Sequence, residues 1–206
     1  MDEYFAPKNS AESELSEKKS VFLGHLRPVT DEEEAKAFIA EMKKKYADAR
    51  HNVWAYRLPD GVFRSSDDGE PSGTGGAPVL DAITKRGLAG CVIVVTRYFG
   101  GILLGTGGLV RAYSGAASLA LDAAGVLRMT PYLSISFSCS YGLYGSASRL
   151  CEKYSCRGFT ADFGEEVAVS LLLPPAKSDA FDRDLRDLSC GAVTSKKGEI
   201  RCLAEE

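Results

Sequence analysis

The chain of 206 residues contains only two histidines and one tryptophan, and it has no long apolar run. The longest apolar stretches, at residues 91–95 and 171–173, fall far short of the roughly 20 residues that a membrane helix needs. Two histidines and six cysteines without paired close spacing do not favour a zinc site. We therefore expect no membrane span, no metal and no cofactor.

The first twenty residues lack the apolar central segment of a secretion signal. A cytoplasmic location is therefore predicted, with all six cysteines as reduced thiols. The net charge of −3 excludes the class of strongly basic proteins that bind nucleic acid over their whole surface. No DNA-specific motif is present. Any nucleic-acid binding must be local.

Hydrophobic residues make up 45% of the chain and charged residues 26%, which is typical of folded globular proteins. The length fits two small α+β domains, and the pattern restarts after Gly125. We place the domains at residues 1–127 and 128–206. The sequence contains no internal repeat, and it does not indicate the oligomeric state.

The first domain is predicted to contain strands at residues 21–29, 52–58 and 91–99. Thr30 and Glu33 have the spacing of a capping box, which predicts a helix beginning there. A second long helix is expected at residues 107–124, with Val110 and Tyr113 among its inward residues. The second domain has the order βαββαβ, which is typical of a ferredoxin-like sandwich.

Two glycine-rich loops each lead into a helix. Free backbone N–H groups and the helix dipole favour an anion at such a helix start. Arginine adds paired hydrogen bonds to phosphate, and threonine adds a hydroxyl. The candidate anion-binding or nucleic-acid-binding residues are Thr74, Gly75, Arg97, Gly105, Thr106, Gly107, Gly108 and Arg111. Neither loop matches the known phosphate-loop or dinucleotide motifs, and glycines also serve turns and packing.

Three carboxylates, Asp67, Asp68 and Glu70, lie close together in the first loop. Clustered carboxylates can act as general acid and base or hold a divalent cation, although such a run is more often a solvated turn. His51 is a further candidate catalytic residue, but no serine or cysteine nucleophile is placed beside it. Trp54, Tyr56, Tyr98 and Phe99 can stack on bases, but burial in the core is the favoured interpretation.

Three segments resemble the signature of the YigZ/Impact family. They read HNVWAYRL, SSDDGEPSGTGGAPVLDAI and VIVVTRYFGGILLGTGGLVRAYSGAASLAL. The part after residue 127 resembles the C-terminal domain of the bacterial members, so the likeness covers nearly the whole chain. Ala77 stands where the family commonly has a lysine, which removes one charge from the first loop.

The resemblance implies a first domain with the left-handed βαβ fold of a ribosomal protein and of elongation factor G domain IV. It implies a ferredoxin-like second domain similar to domain V of that factor. Eukaryotic relatives regulate translation through an extra N-terminal domain, in competition for the activator of a kinase that senses uncharged tRNA. About twenty residues precede the first predicted strand, so we do not expect this kinase-pathway role to carry over.

Three functions remain open at this point. The leading one is a non-enzymatic regulator that binds RNA, the ribosome or a translation factor through the glycine-rich loops. Between Arg64 and Tyr113, however, five Lys or Arg residues face four Asp or Glu residues, which is little net charge for RNA. The alternatives are a hydrolase-like enzyme that uses Asp67, Asp68 and Glu70 on a small phosphorylated or peptide-like substrate, and a protein-interaction adaptor.

Overall fold

A computed structural model describes residues 2–205, which form two compact units. The first unit spans residues 4–129 and the second spans residues 130–204. The strands are β1 (Tyr4–Pro7), β2 (Ala11–Glu17), β3 (Ser20–Pro28), β4 (His51–Arg57), β5 (Phe63–Ser66), β6 (Cys91–Tyr98), β7 (Val126–Cys139), β8 (Arg157–Phe163), β9 (Val167–Leu173) and β10 (Lys196–Glu205). The α-helices are α1 (Glu32–Lys45), α2 (Gly76–Lys85), α3 (Gly105–Ala124), α4 (Tyr141–Lys153) and α5 (Ser178–Leu188).

The first unit is built around a five-stranded sheet in the order β2-β3-β6-β4-β5. All four pairings are antiparallel. The central strand β6 is buried on both faces, as its continuous apolar run predicted. Val92 and Val94 pack with the buried side of α1, whereas Ile93 and Val95 pack with α2 and α3. This alternation places one helix on one face of the sheet and two helices on the other.

Helix α1 follows the sequence pattern closely, but its N-cap is shifted by one residue. The cap is Asp31, whose carboxylate accepts the Glu34 N–H at 2.8 Å. The predicted capping box of Thr30 and Glu33 is therefore wrong by one position, because the side chain of Glu34 reaches back to the Thr30 N–H instead. Acidic residues in the first turn and lysines in the last turn complement the helix dipole.

Helix α3 buries a long stripe of small side chains against the sheet. Tyr113 is buried, as predicted, together with Ala117, Ala120 and Leu121, but Val110, which was also predicted to face inward, is 37% exposed. The helix ends at Gly125, whose φ of 68° lies in the left-handed region that a glycine tolerates. Such close packing of alanines lets the helix axis approach the sheet.

The second unit has the predicted order βαββαβ, with β7, α4, β8, β9, α5 and β10 following one another. Its strands are arranged β8-β9-β7-β10, the order of a ferredoxin-like sheet. Phe137, Val169 and Leu171 of the sheet pack with Phe181 and Leu185 of α5. The two-domain α+β fold class is thus confirmed.

Three short or polar strands escaped the sequence analysis. β2 and β5 lie at the edges of the first sheet, and β1 pairs with the first residues of β7. β2 carries four charged or hydroxyl side chains that face solvent, and only Ala11 and Leu15 pack on the core. Edge strands with charged side chains resist further pairing, but they lose the apolar alternation that identifies a strand.

All six cysteines are free thiols. Among residues 2–205, no helix is both long and apolar enough to cross a membrane.

Candidate functional site in the first unit

The backbone amides of the first glycine-rich loop bind a carboxylate of the same chain, that of Asp67. The Asp67 carboxylate accepts N–H groups of Gly73, Gly75 and Gly76, each at 2.9 Å. Burial alone would raise the pKa of Asp67, but the hydrogen bonds from Gly73, Gly76 and Gly75 together lower it below its ordinary value. These amides form the start of α2, so Asp67 acts as a remote cap for that helix.

The rest of this loop is also engaged internally. The Thr74 hydroxyl is buried and donates to the Pro71 carbonyl at 2.7 Å. A Cβ at Gly76 would lie 2.7 Å from the backbone nitrogen of Ser66, so glycine is required there for packing. Thr74 and Gly75 were predicted to contact an external anion, but the structure directs both to partners within the chain.

Asp68 is held by a different set of groups. Its carboxylate lies 2.5 Å from the Lys43 ammonium and accepts the Asn52 N–H at 2.7 Å. Its backbone, with φ of 44°, presents the carbonyl oxygen to Nδ1 of His51 at 2.9 Å. Since a carbonyl oxygen can only accept, this contact requires the proton of His51 on Nδ1. Nε2 of a neutral His51 is therefore an acceptor.

Glu70 forms the buried centre of the site. Its Oε1 accepts Arg97 Nη1 at 2.6 Å and the Tyr113 hydroxyl at 2.8 Å, and it lies 4.0 Å from His51 Nε2. The side chains of Glu70 and Arg97 are only 3% and 8% exposed. Burial and the charge of Glu70 raise the pKa of Tyr113, which keeps its hydroxyl protonated as the donor. Breaking one partner of such a buried pair costs about 3–5 kcal/mol.

The three clustered carboxylates therefore do not converge. Asp67 binds backbone amides, Asp68 binds Lys43, and Glu70 binds Arg97. Within residues 2–205, no group of three or more His, Cys, Asp or Glu side chains is placed to hold a metal ion. The adjacency of these residues in sequence reflects a turn that sends each side chain in its own direction.

A cavity of about 270 Å³ opens beside the Glu70–Arg97 pair. Its lining includes Arg50, His51, Glu70, Arg97, Phe99 and Leu103. The Nε–H of Arg97 has no hydrogen-bond partner among the described residues, although the side chain is nine-tenths buried. A buried donor without a partner costs about 1–3 kcal/mol, and the side chain that carries this donor lines the cavity.

The second glycine-rich loop differs from the first because its helix start has no cap. Leu104 precedes α3, and among residues 2–205 no side chain binds the amides of its first turn. Gly105, Thr106 and Gly107 are exposed, whereas Gly108 is buried against Leu104. An apolar residue at the cap position forgoes about 1 kcal/mol of stabilisation. The start of α3 is thus an exposed set of N–H groups without an internal anion.

Gly107 has no packing reason to be glycine. Apart from the helix backbone itself, the nearest atom to an added Cβ is Arg111 Nη1, at 3.6 Å. Glycine within a helix costs up to about 1 kcal/mol relative to alanine. A ligand that approaches the backbone closely provides a reason for the glycine that the protein's own packing does not.

Arg111 Nη1 lies beside Gly107 in this helix start, and other basic residues lie on segments that contact the preceding loop or line the adjacent cavity. Gly100 packs directly on the backbone of Lys19 at the tip of the β2–β3 hairpin, where Lys18 also lies. Within the described chain, Lys18, Lys19, Arg50 and Arg111 form no ion pair. The sequence analysis identified Arg111 but missed the other three, since they lie far from the glycine loops in sequence. Only the strand pairing brings the hairpin tip to the loop.

Exposed apolar side chains complete this surface. Phe99 is 50% exposed and Leu103 is 84% exposed, with Ile102 between them also exposed. Burial was the favoured interpretation for Phe99, and it is wrong for this residue, whereas Tyr56 is buried as predicted. Exposed aromatic and aliphatic residues beside a cavity are typical of binding surfaces.

These features define a two-domain α+β protein that carries a small cavity over a buried ion pair and an uncapped, basic helix start in its first unit. Residues 18–121 match the Impact N-terminal domain, and residues 137–192 match a domain of unknown function, DUF1949. The chain belongs to the YigZ/IMPACT family.

Curated relatives agree with this assignment over most of the chain. IMPACT family member YvyE of Bacillus subtilis is 36% identical over 97% of this chain and 93% of its own length. IMPACT family member YigZ of Escherichia coli is 37% identical over 85% of this chain and 88% of its own length. Protein IMPACT of Rattus norvegicus is 34% identical, but over 44% of this chain and 30% of its own length.

A solved structure described as the crystal structure of an hypothetical protein is also similar. It is 33% identical in sequence, and the two chains superpose with a TM-score of 0.69. The match covers 100% of this chain and 98% of the other. The similarity to the solved structure and to the Bacillus subtilis relative thus extends over both units, whereas the match to the Rattus norvegicus protein covers less than half of the chain.

Proposed function

We propose that this chain is a non-enzymatic regulator that binds the phosphate groups of RNA, free or within the translation apparatus, at the start of α3. The observation that carries the proposal is the exposed, uncapped first turn at Gly105–Gly107, with Arg111 beside it. Lys18, Lys19 and Arg50 lie on neighbouring segments and, like Arg111, form no ion pair among the described residues. Backbone N–H groups and the helix dipole favour a phosphate at such a position. The resemblance to elongation factor domains points to RNA of the translation apparatus as its source.

The local charge supports this proposal more strongly than the composition of the glycine-rich segment does. Asp67, Asp68 and Glu70 are each hydrogen-bonded inside the unit, and Asp81 pairs with Lys85. Three of these carboxylates pair with basic residues, whereas Asp67 binds only backbone amides. Lys18, Lys19 and Arg50 lie outside that segment and add three positive charges, against the one exposed carboxylate of Glu17 beside them. With these residues, the surroundings of α3 are more basic than the segment alone.

The salt dependence of RNA binding tests the proposal. If Lys18, Lys19, Arg50 and Arg111 each neutralise one phosphate, a plot of log K against log salt for single-stranded RNA has a slope of about −3. The affinity then falls about 50-fold between 50 and 200 mM salt. The measurement is the fluorescence anisotropy of a labelled single-stranded RNA at several salt concentrations.

Matched variants locate the contact. The double variant Lys18→Ala, Lys19→Ala should reduce the slope to about half, because two phosphate contacts are lost. Lys44→Ala, on the exposed side of α1 and also without an ion pair, should leave the slope unchanged. Equal effects of the two changes would show that any binding is nonspecific and would contradict the proposed site.

Gly107→Ala separates binding from stability. The change should raise the free energy of unfolding by about 0.5–1 kcal/mol, because alanine favours the helix and its Cβ makes only an ordinary contact, with Arg111 Nη1 at 3.6 Å. It should nevertheless weaken RNA binding, because the Cβ occupies the approach to the backbone. Gly145→Ala, at an open position in α4, is the control for helix propensity and should leave binding unchanged.

A further inference from the structure

We infer that the cavity beside Glu70 and Arg97 takes one unstacked nucleobase of a nucleotide whose phosphate lies at the start of α3. The inference rests on the proposed function and names the group that would enter the cavity. At about 270 Å³, the cavity lies just below the range of typical ligand sites, about 300–1,000 Å³. It therefore suits a single ring system rather than a length of polymer.

The polar groups of the cavity suit the edge of a base. Arg97, whose Nε–H has no partner among the described residues, lines the cavity, and Nε2 of a neutral His51 is an acceptor because Nδ1 carries the proton. A base edge presents both donors and acceptors, so it can pair with an arginine N–H and with a histidine acceptor. Sulfate, which has no donor, would pair with an arginine N–H but would leave Nε2 of a neutral His51 without a donor.

Charge distinguishes the interior of the cavity from its surroundings. Glu70 neutralises Arg97 inside, whereas Arg50 in the cavity wall is exposed and forms no ion pair among the described residues. The positive charge that lacks a partner thus lies toward solvent. A ligand with an uncharged planar part and an attached phosphate matches this arrangement, whereas a small carboxylate buried beside Glu70 would be repelled.

The wall of the cavity supplies a ring for stacking. Phe99 lines the cavity and is half-exposed, and the centroid of its ring lies 5.4 Å from the guanidinium carbon of Arg97. Bases stack on exposed aromatic rings irrespective of their sequence. Leu103, which also lines the cavity, stands two residues before α3. One nucleotide can therefore place its base against Phe99 and its phosphate at the first turn of the helix.

The test compares two single-stranded RNA hexamers with the same backbone, one complete and one with abasic positions, by fluorescence anisotropy with the full chain. The complete hexamer should bind about 5- to 100-fold more tightly. Phe99→Ala should abolish this difference without changing the salt slope. Phe63→Ala, on β5 and 59% exposed, is the control and should preserve the difference. Equal binding of the two hexamers to the wild type would overturn the inference.

Nucleoside monophosphates and ribose 5-phosphate, titrated by calorimetry, identify the source of the ligand. If a salt-dependent affinity for RNA remains but the bases add nothing, the proposed function stands and the nucleobase site is refuted. If a nucleoside monophosphate binds and requires Phe99 while RNA does not bind, the nucleobase site stands with a free nucleotide as ligand, and the RNA function is refuted. Equal binding of ribose 5-phosphate and the nucleotides would also refute the nucleobase site.

Discussion

Asp67 is the residue whose replacement tests the structure of the first loop most sharply. Its Oδ1 accepts the N–H groups of Gly75 and Gly76, and its Oδ2 accepts that of Gly73. In Asp67→Asn, one oxygen remains for two of these bonds, but the new amide NH₂ opposes the third N–H group. The charge of the cap at the start of α2 is also lost.

We expect Asp67→Asn to lower the free energy of unfolding of the first unit by about 2 kcal/mol. Hydrogen bonds to charged groups contribute about 1.5–3 kcal/mol, and partial exposure of this loop reduces that figure. Asp67→Ala, which removes all three bonds, should cost about 3 kcal/mol. Asp81→Asn, on α2 and paired only with Lys85 at the surface, should cost less than about 0.5 kcal/mol.

The assay is urea unfolding followed by the fluorescence of Trp54, the single tryptophan, which lies in β4 of the same unit. Because the pKa of Asp67 is lowered in the folded unit, its contribution is complete above its ordinary value of 3.8. The contribution is lost as the pH falls through the folded value. The gap between wild type and Asp67→Asn should therefore be constant from pH 7 to about 4 and then shrink. A gap below about 0.5 kcal/mol at pH 7 would refute the capping role.

Further changes test the buried cluster and the loop packing with the same urea assay. Glu70→Gln leaves the Arg97 charge buried without its counter-charge and should cost about 3 kcal/mol or more, whereas Tyr113→Phe removes one donor and should cost about 1 kcal/mol. If Tyr113→Phe destabilised the unit more than Glu70→Gln does, Glu70 would not be the centre of this buried cluster. Gly100→Ala should cost more than about 2 kcal/mol, because its Cβ would overlap the backbone of Lys19. A neutral result would mean that the hairpin tip does not lie on this loop.

The sequence predicted the elements best where the apolar residues of the pattern are the same residues that are buried in the structure. The apolar run of β6 and the stripe of α1 are buried as expected, because their apolar residues face helices or the sheet along their whole length. β2 and β5 were missed, since an edge strand packs only a few side chains and exposes the rest. The cap of α1 was displaced by one residue, because Thr30 and Asp31 are both good caps and tertiary context selects between them.

The candidate site was predictable only in part. Glycine loops before helices are visible in sequence, but whether an internal carboxylate fills them is not, since Asp67 reaches amides six to nine residues away. The pairing of Glu70 with Arg97 and Tyr113 joins residues 27 and 43 positions apart, which no local pattern reveals. The sequence therefore located both glycine-rich loops, but it did not show which helix start has amides that no internal carboxylate binds.

In the proposed function, phosphate contacts the exposed amides at the start of α3 and does not contact the amides that bind Asp67. The most direct test is a titration of the ¹⁵N-labelled chain with a short single-stranded RNA, followed by backbone amide chemical shifts. We expect the largest shifts at Gly105, Thr106 and Gly107, with Gly75 and Gly76 unaffected. Shifts centred on Gly75 and Gly76, or none at the start of α3, would contradict it.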